Sequence, residues 1–144
     1  MGKKVNPKIM RMGITKTWPS VWFEQGDQYV KNIKQDINIR KHLIKEFREA
    51  GVDKVEIIRG INRIEITIHT AKPGVIIGRG GNGIEELKRK LHKKFLKNFR
   101  LQEINLNIKE VSRPNLSAQI IVQNMIMEIE KRVPFRKVMK QALG

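Results

Sequence analysis

The sequence contains no cysteine, which excludes disulfides, thiol nucleophiles and cysteine-held zinc. It has no apolar run near the roughly 20 residues that a bilayer-spanning helix requires, so no membrane association is expected. Histidine is scarce: the 3 present, His42, His69 and His92, lie far apart without metal-ligand spacing, and no Ser-His-Asp order can be assembled around them. Nothing here points to an enzyme, a metal or a cofactor. The most informative shortage is of acid. Asp and Glu number 14 against 30 for Lys and Arg, a formal net charge of +16 and a pI near 10.4. Such an excess repels itself in the free protein and calls for a polyanionic partner.

Against those absences stand 144 residues, 40% of them hydrophobic. This is enough for one domain with appendages and burial of roughly two thirds of the unfolded surface. The first 17 residues carry Lys3, Lys4, Lys8, Arg11 and Lys16 with no acid, but they lack the Arg and Ser richness of a transit peptide. Asn6 stands where a myristoylation signal has Ser or Thr. The pattern is that of a protein made and used inside the cell.

Pro7, Gly13 and Pro19 keep residues 1–26 from forming a long helix. This stretch reads as a basic N-terminal arm, its end anchored by Trp18, Val21, Trp22 and Phe23. From Asp27 to Ala50 the spacing of Ile37, Leu43, Ile44 and Phe47 predicts a helix with one core-facing stripe, which Gly51 ends. Two strands follow, Val52 to Arg59 and Ile61 to Thr70, with Ile64, Ile66 and Ile68 alternating with polar residues and a turn at Gly60 and Asn62. Pro73 opens a short helical turn into a glycine cluster, after which Ile84, Leu87 and Leu91 define a helix reaching about Asn98. Leu101 to Ile108 reads as a third strand. A last helical stretch begins after Pro114 and Asn115, carries Leu116, Ile120, Ile121, Met125 and Ile129, and is kinked or divided by Pro134. Three strands with helices packed on one face give an α+β fold.

Two glycine motifs compete between Lys72 and Ile84. Gly78, Gly80 and Gly83 satisfy Gly-x-Gly-x-x-Gly, but a dinucleotide loop should follow its strand directly. Here residues 71–77 intervene, and the chain is too short for a doubly wound sheet. The second motif is Gly-x-x-Gly between two helices, formed by Gly78, Arg79, Gly80 and Gly81 with Ile77 before and Ile84 after. It resembles the KH motif, whose loop clamps the backbone of about four nucleotides. Glycines let a sugar-phosphate chain approach the main chain, and amides at the start of the next helix face its phosphates. Arg79 adds charge, and Lys88 and Arg89 begin a run of bases along the following helix. Acids in that helix's first turn and bases later also suit the helix dipole, so any single lysine there reads as solvated surface. The total excess does not.

Four segments carry a closer resemblance, to bacterial-type small-subunit ribosomal protein S-three. They are Gly2 to Ile14 with Lys-Val-Asn-Pro and Arg-Met-Gly-Ile, Trp18 to Phe23, Ile68 to Gly81 with Ile-His-Thr-Ala-Lys-Pro-Gly, and Arg132 to Ala142 with Val-Pro-Phe-Arg-Lys-Val-Met-Lys. The resemblance implies a type II KH domain with a mixed sheet over residues 27–132, preceded by the arm and followed by a basic helical segment, 133–144. It implies a structural place in the head of the small ribosomal subunit, on the ribosome of a bacterial cytoplasm or of an organelle. The partners it implies are ribosomal RNA, messenger RNA and neighbouring small-subunit proteins. Lys131, Arg132, Arg136 and Lys137 match the basic residues that face the messenger entry channel in that family; on their own they read as a solvated helix end. Members of the family continue into a second α/β domain, whereas this sequence stops at Gly144. Features needing that domain do not carry over, and a separate chain supplying it would be a further partner.

The rival reading is a free-standing KH RNA chaperone or processing factor, with the same fold, loop and charge. The arm separates the two. Lys3, Lys4, Lys8 and Arg11, in an irregular segment, suit threading into a large RNA particle. Of the aromatics, Phe47, Phe95 and Phe99 fall on or beside core stripes, leaving Trp18 and Trp22 to reach a partner.

Overall fold

The computed structural model describes residues 2–143, the side chain of Arg79 excepted. In chain order the elements are α1 (Pro7–Met10), β1 (Ser20–Val21), α2 (Gly26–Glu46), β2 (Val52–Arg59), β3 (Ile64–Thr70), α3 (Pro73–Ile77), α4 (Asn82–Lys94), β4 (Ile104–Glu110), α5 (Ala118–Glu130) and α6 (Phe135–Leu143). The sheet runs β1-β2-β3-β4. Its pairs are parallel, antiparallel and parallel in turn, so it is mixed, as expected for a type II KH domain.

The sheet has four strands, one more than expected. The extra strand, β1, is the end of the arm: Ser20 and Val21 pair with Ile57 and Ile58, and the Ile57 amide donates to the Pro19 carbonyl at 3.0 Å. A two-residue strand has too little alternation to be visible in a sequence. The β2–β3 hairpin is closed by the Gly60 amide donating to the Arg63 carbonyl at 2.8 Å, in the segment where the turn was expected.

One apolar cluster fills one side of the sheet. Val55, Ile57, Ile64, Ile66, Ile68 and Ile104 from the strands meet Ile39 and Leu43 of α2, Ile76 of α3, and Leu87 and Leu91 of α4. Phe47, Phe95 and Phe99 pack half-buried against it. The expected stripe on α2 is displaced. Its buried face is Asn32, Asp36, Ile39 and Leu43, whereas Ile37 and Ile44 are exposed. The i, i+4, i+7, i+11 spacing is kept, but two of the four residues are polar and hydrogen-bonded, which hides the face from a hydrophobicity reading.

Further corrections concern ends and stripes. α4 ends at Lys94 rather than near Asn98, with Phe95 at its C-cap and Leu96 turned into the core. Leu101–Glu103 form a 3₁₀ turn rather than the start of a strand, and Ile104 begins β4. On α5 only Ile120 and Gln123 are buried; Leu116 and Ile129 of the expected stripe are exposed. This helix touches the rim of the sheet rather than its face: Gln123 Nε2 donates to the Val52 carbonyl at 2.9 Å. Pro134 does divide the final stretch, with α6 beginning at Phe135.

Candidate nucleic-acid interface

The site begins with a backbone reversal. α3 ends at Gly78 with φ +69°, and Gly80 and Gly81 follow at φ +64° and +82°. Side-chain-bearing residues resist this left-handed region, so the loop's composition follows from its path. Gly83 has a different role. A methyl group there would stand 2.5 Å from the Ile76 carbonyl oxygen and 2.8 Å from that of Ile77. Glycine therefore lets the first turn of α4 lie against the last turn of α3. That contact, with Ile76, Leu87 and Leu91 buried beneath, fixes the loop at the junction of two helices.

α4 starts without a side-chain cap, its N-cap being Gly81. No side chain of the protein therefore occupies its first turn, the part of a helix at which phosphate binds in other proteins. Gly78 and Gly80 are exposed, and Gly81 is half-buried. The side chain of Arg79 lies outside the described residues.

Beside the helix runs a cleft of about 380 Å³ between α4 and the outer edge of β4, lined by Ile84, Lys88, Ile104, Asn105, Leu106 and Asn107, with Glu65 and Glu85. β4 pairs with β3 only, which leaves its edge turned to this cleft. The floor is apolar and the rim polar. Asn107 Nδ2 donates to Glu65 Oε1 at 2.6 Å, fixing the amide's orientation and leaving its carbonyl oxygen as an acceptor.

The basic run on α4 divides by direction. Lys88 lines the cleft. Arg89 is exposed and 3.5 Å from Glu85, a solvated pair of small energetic weight. Lys90 instead reaches Glu46 of α2 at 2.8 Å, and hydrogen bonding to that carboxylate raises the lysine's pKa. Lys94 approaches His42 Nε2 at 3.4 Å. Burial, then the Lys94 charge, holds the His42 imidazole below its ordinary value of 6.5.

The other sequence-predicted residues fall on separate parts of the chain. Lys3, Lys4, Lys8 and Arg11 are exposed in the arm, which is not wholly irregular. Asn6 Oδ1 accepts from the Lys8 amide at 2.9 Å, Arg11 donates to the Pro7 carbonyl at 3.0 Å, and a bridge joins Met12 and Lys16. Lys131, Arg132, Arg136 and Lys137 are exposed at the α5–α6 corner, where Arg132 takes φ +64°. The loop leads into α4, on which Lys88 lines the cleft; the arm and the corner lie on other elements. Sequence reading missed Asn105, Asn107 and the edge of β4, because only tertiary packing brings β4 beside α4. Among the described residues, no cluster of His, Asp or Glu has the arrangement of a metal site, and no helix is long and apolar enough to cross a membrane.

A helix pair joined by Gly78-x-x-Gly81, flanked by a parallel edge strand and an open cleft, defines a KH domain, and the KH domain family model matches residues 38–116. The chain belongs to that family. Over its whole length it is also 46% identical to the small ribosomal subunit protein uS3 of Syntrophomonas wolfei, covering 61% of that protein. It is 44% identical to uS3 of Caldicellulosiruptor saccharolyticus, covering 63%. A third relative, uS3 of Leptospira biflexa, is 46% identical over 143 residues and covered to 61%. The chain thus spans about three fifths of the curated relatives it matches, and the matched stretch includes the KH domain.

Proposed function

We propose that this chain is a structural constituent of the small ribosomal subunit, holding ribosomal RNA through its KH loop and basic arm and catalysing no reaction. The observation that carries the reading is similarity, along the whole of this chain and about three fifths of theirs, to proteins named as small ribosomal subunit protein uS3, joined to an exposed glycine loop at the start of a helix. Three parts divide the work. Residues 1–26 are the arm, its last residues docked as β1; 27–132 are the RNA-binding domain; 133–144 are a basic helical tail. Gly78, Arg79, Gly80, Gly81, Lys88 and Arg89 hold RNA backbone at the loop and the first turns of α4. Lys3, Lys4, Lys8 and Arg11 pin the arm to ribosomal RNA. Lys131, Arg132, Arg136 and Lys137 face messenger RNA near its entry into the particle.

Neighbouring small-subunit proteins are partners in this assembly, and a second chain completes it where the remaining part of the relatives' length is supplied separately. The compartment is the ribosome of a bacterial cytoplasm or of an organelle; the bacterial relatives favour the former. A binding titration on small-subunit ribosomal RNA tests the reading. Replacing Arg79 and Gly80 by Asp puts two carboxylates into an exposed loop and should weaken binding at least about tenfold, the scale of one or more lost charged contacts; the positive φ at Gly80 should lower the thermal midpoint modestly, with the cooperative transition kept. Undiminished binding by this variant would take the loop out of the site.

A further inference from the structure

Asp36, on α2, is 2% exposed. A buried carboxylate persists only when its lone pairs are satisfied, and its two oxygens serve two different parts of the molecule. Oδ1 accepts from Arg59 of β2, at 3.0 Å from Nε and also from the guanidinium NH2. Oδ2 accepts from the arm: Ser20 Oγ at 2.8 Å and Trp22 Nε1 at 2.9 Å. Arg40, one helical turn along, closes the arrangement by donating to the Pro19 carbonyl at 2.8 Å and to Ser20 Oγ.

Other forces holding the arm are weak. β1 has two residues, far below the strand length that is stable alone. The apolar residues around it are largely in solvent, with Trp18 60%, Val21 51% and Phe23 82% exposed. The ring of Trp22 is tilted against Tyr29 at 5.4 Å. The carboxylate, which takes two bonds from arm side chains, is therefore a main point of the arm's attachment, beside the bonds of Arg40 and Ile57 to the Pro19 carbonyl.

We propose that Asp36 is a positioning residue for RNA binding: it tethers the root of the arm to the domain, so that the arm's cations are presented in a fixed direction relative to the KH loop. This rests on the arm binding RNA, as proposed above. A tethered second site gains effective concentration only while its geometry is held. Asp36 is the hinge point where the geometry of the arm is joined to that of the domain.

The test uses the full chain and a 20-nucleotide poly-uridine as probe. The variant Ser20→Ala/Trp22→Phe removes both arm donors while keeping the aromatic ring and the Asp36–Arg59 pair. Asp36→Asn attacks the same tether from the domain side; should that variant unfold because Arg59 loses its partner, the double variant decides. The Ile57 amide, bonded to the Pro19 carbonyl, reports the attachment. It should exchange about tenfold faster or more, with the β2–β3 ladder still protected. Affinity should fall about three- to tenfold, and adding Lys3→Ala/Lys4→Ala/Lys8→Ala/Arg11→Ala should cost far less than the same four changes cost in the parent chain. A merely structural role would leave the arm's contribution additive. Unchanged exchange at Ile57 overturns the tether, and full additivity overturns the positioning role. If the four arm changes leave the parent chain's binding intact, the arm's RNA-binding reading fails, and the positioning role with it; Ile57 exchange still judges the tether.

Discussion

At the scale of single residues, the loop depends on backbone geometry more than on side-chain chemistry. Gly83 makes the sharpest case. Ala there places its Cβ 2.5 Å from a carbonyl oxygen, inside contact distance of main chain that cannot swing aside. Gly83→Ala should destabilise the domain by about 1–3 kcal/mol, the usual cost of overpacking, measurable by urea denaturation. In the core, Ile66 is fully buried on the central strand β3, and Ile66→Ala should cost about 2–5 kcal/mol through lost burial and a residual cavity. His42 gives the residue-scale pH dependence. Its folded-state pKa lies below 6.5 because burial and Lys94 disfavour the imidazolium. The folded state therefore binds fewer protons than the unfolded chain on acidification, so stability is full above pH 6.5 and declines as pH falls towards the folded pKa. Glu56, lowered from 4.5 chiefly by its hydrogen bond from Lys54, adds a second decline below that value. Urea midpoints between pH 8 and pH 4 should fall in both windows, and His42→Gln should remove the upper one. A midpoint that rises on acidification between pH 7 and 5.5 would reverse the assigned sign.

At the scale of elements, legibility followed how well hydrophobicity reports burial. The β2–β3 hairpin was legible because Ile64, Ile66 and Ile68 alternate with polar residues and all three are buried. The loop was legible because its positive φ values require glycine. The face of α2 was misread because Asn32 and Asp36 are buried polar residues, Asn32 accepting from Gln28 one turn earlier and Asp36 satisfied by partners distant in sequence. β1 escaped because two residues carry no period, and the α4–β4 cleft because it depends on which edge of the sheet a helix lies beside. α5 shows an opposite limit: it is rich in isoleucine, yet Ile126 and Ile129 are exposed, since the helix packs at the rim. Beside the buried Ile120, its attachment to the sheet is polar. Ser117 Oγ accepts from the Ile120 amide and donates to Asp53 of β2, capping α5 and joining it to the sheet. Ser117→Ala should cost about 1 kcal/mol or somewhat more, as for a lost N-cap, with amide exchange rising in the first turn of α5 before the sheet is affected.

At the scale of the whole molecule, charge and fold lead to the same partner. A net charge of +16 on 144 residues is distributed over the arm, α4 and the α5–α6 corner, around a small apolar core. If about six phosphates are neutralised, the log-log salt dependence of RNA binding should have a slope between roughly −4 and −5. A flat response would remove counterion release as the source of affinity. The KH fold by itself allows a free-standing RNA factor as readily as a ribosomal component. The similarity to uS3 favours the ribosome, since it runs over the arm and tail, beyond the residues 38–116 that the KH family model matches. The most direct measurement is sedimentation of an extract containing this chain, followed by a high-salt wash of the fractions. The account predicts comigration with the small ribosomal subunit that survives the wash. Recovery at the top of the gradient, or on assorted small RNAs, would contradict it.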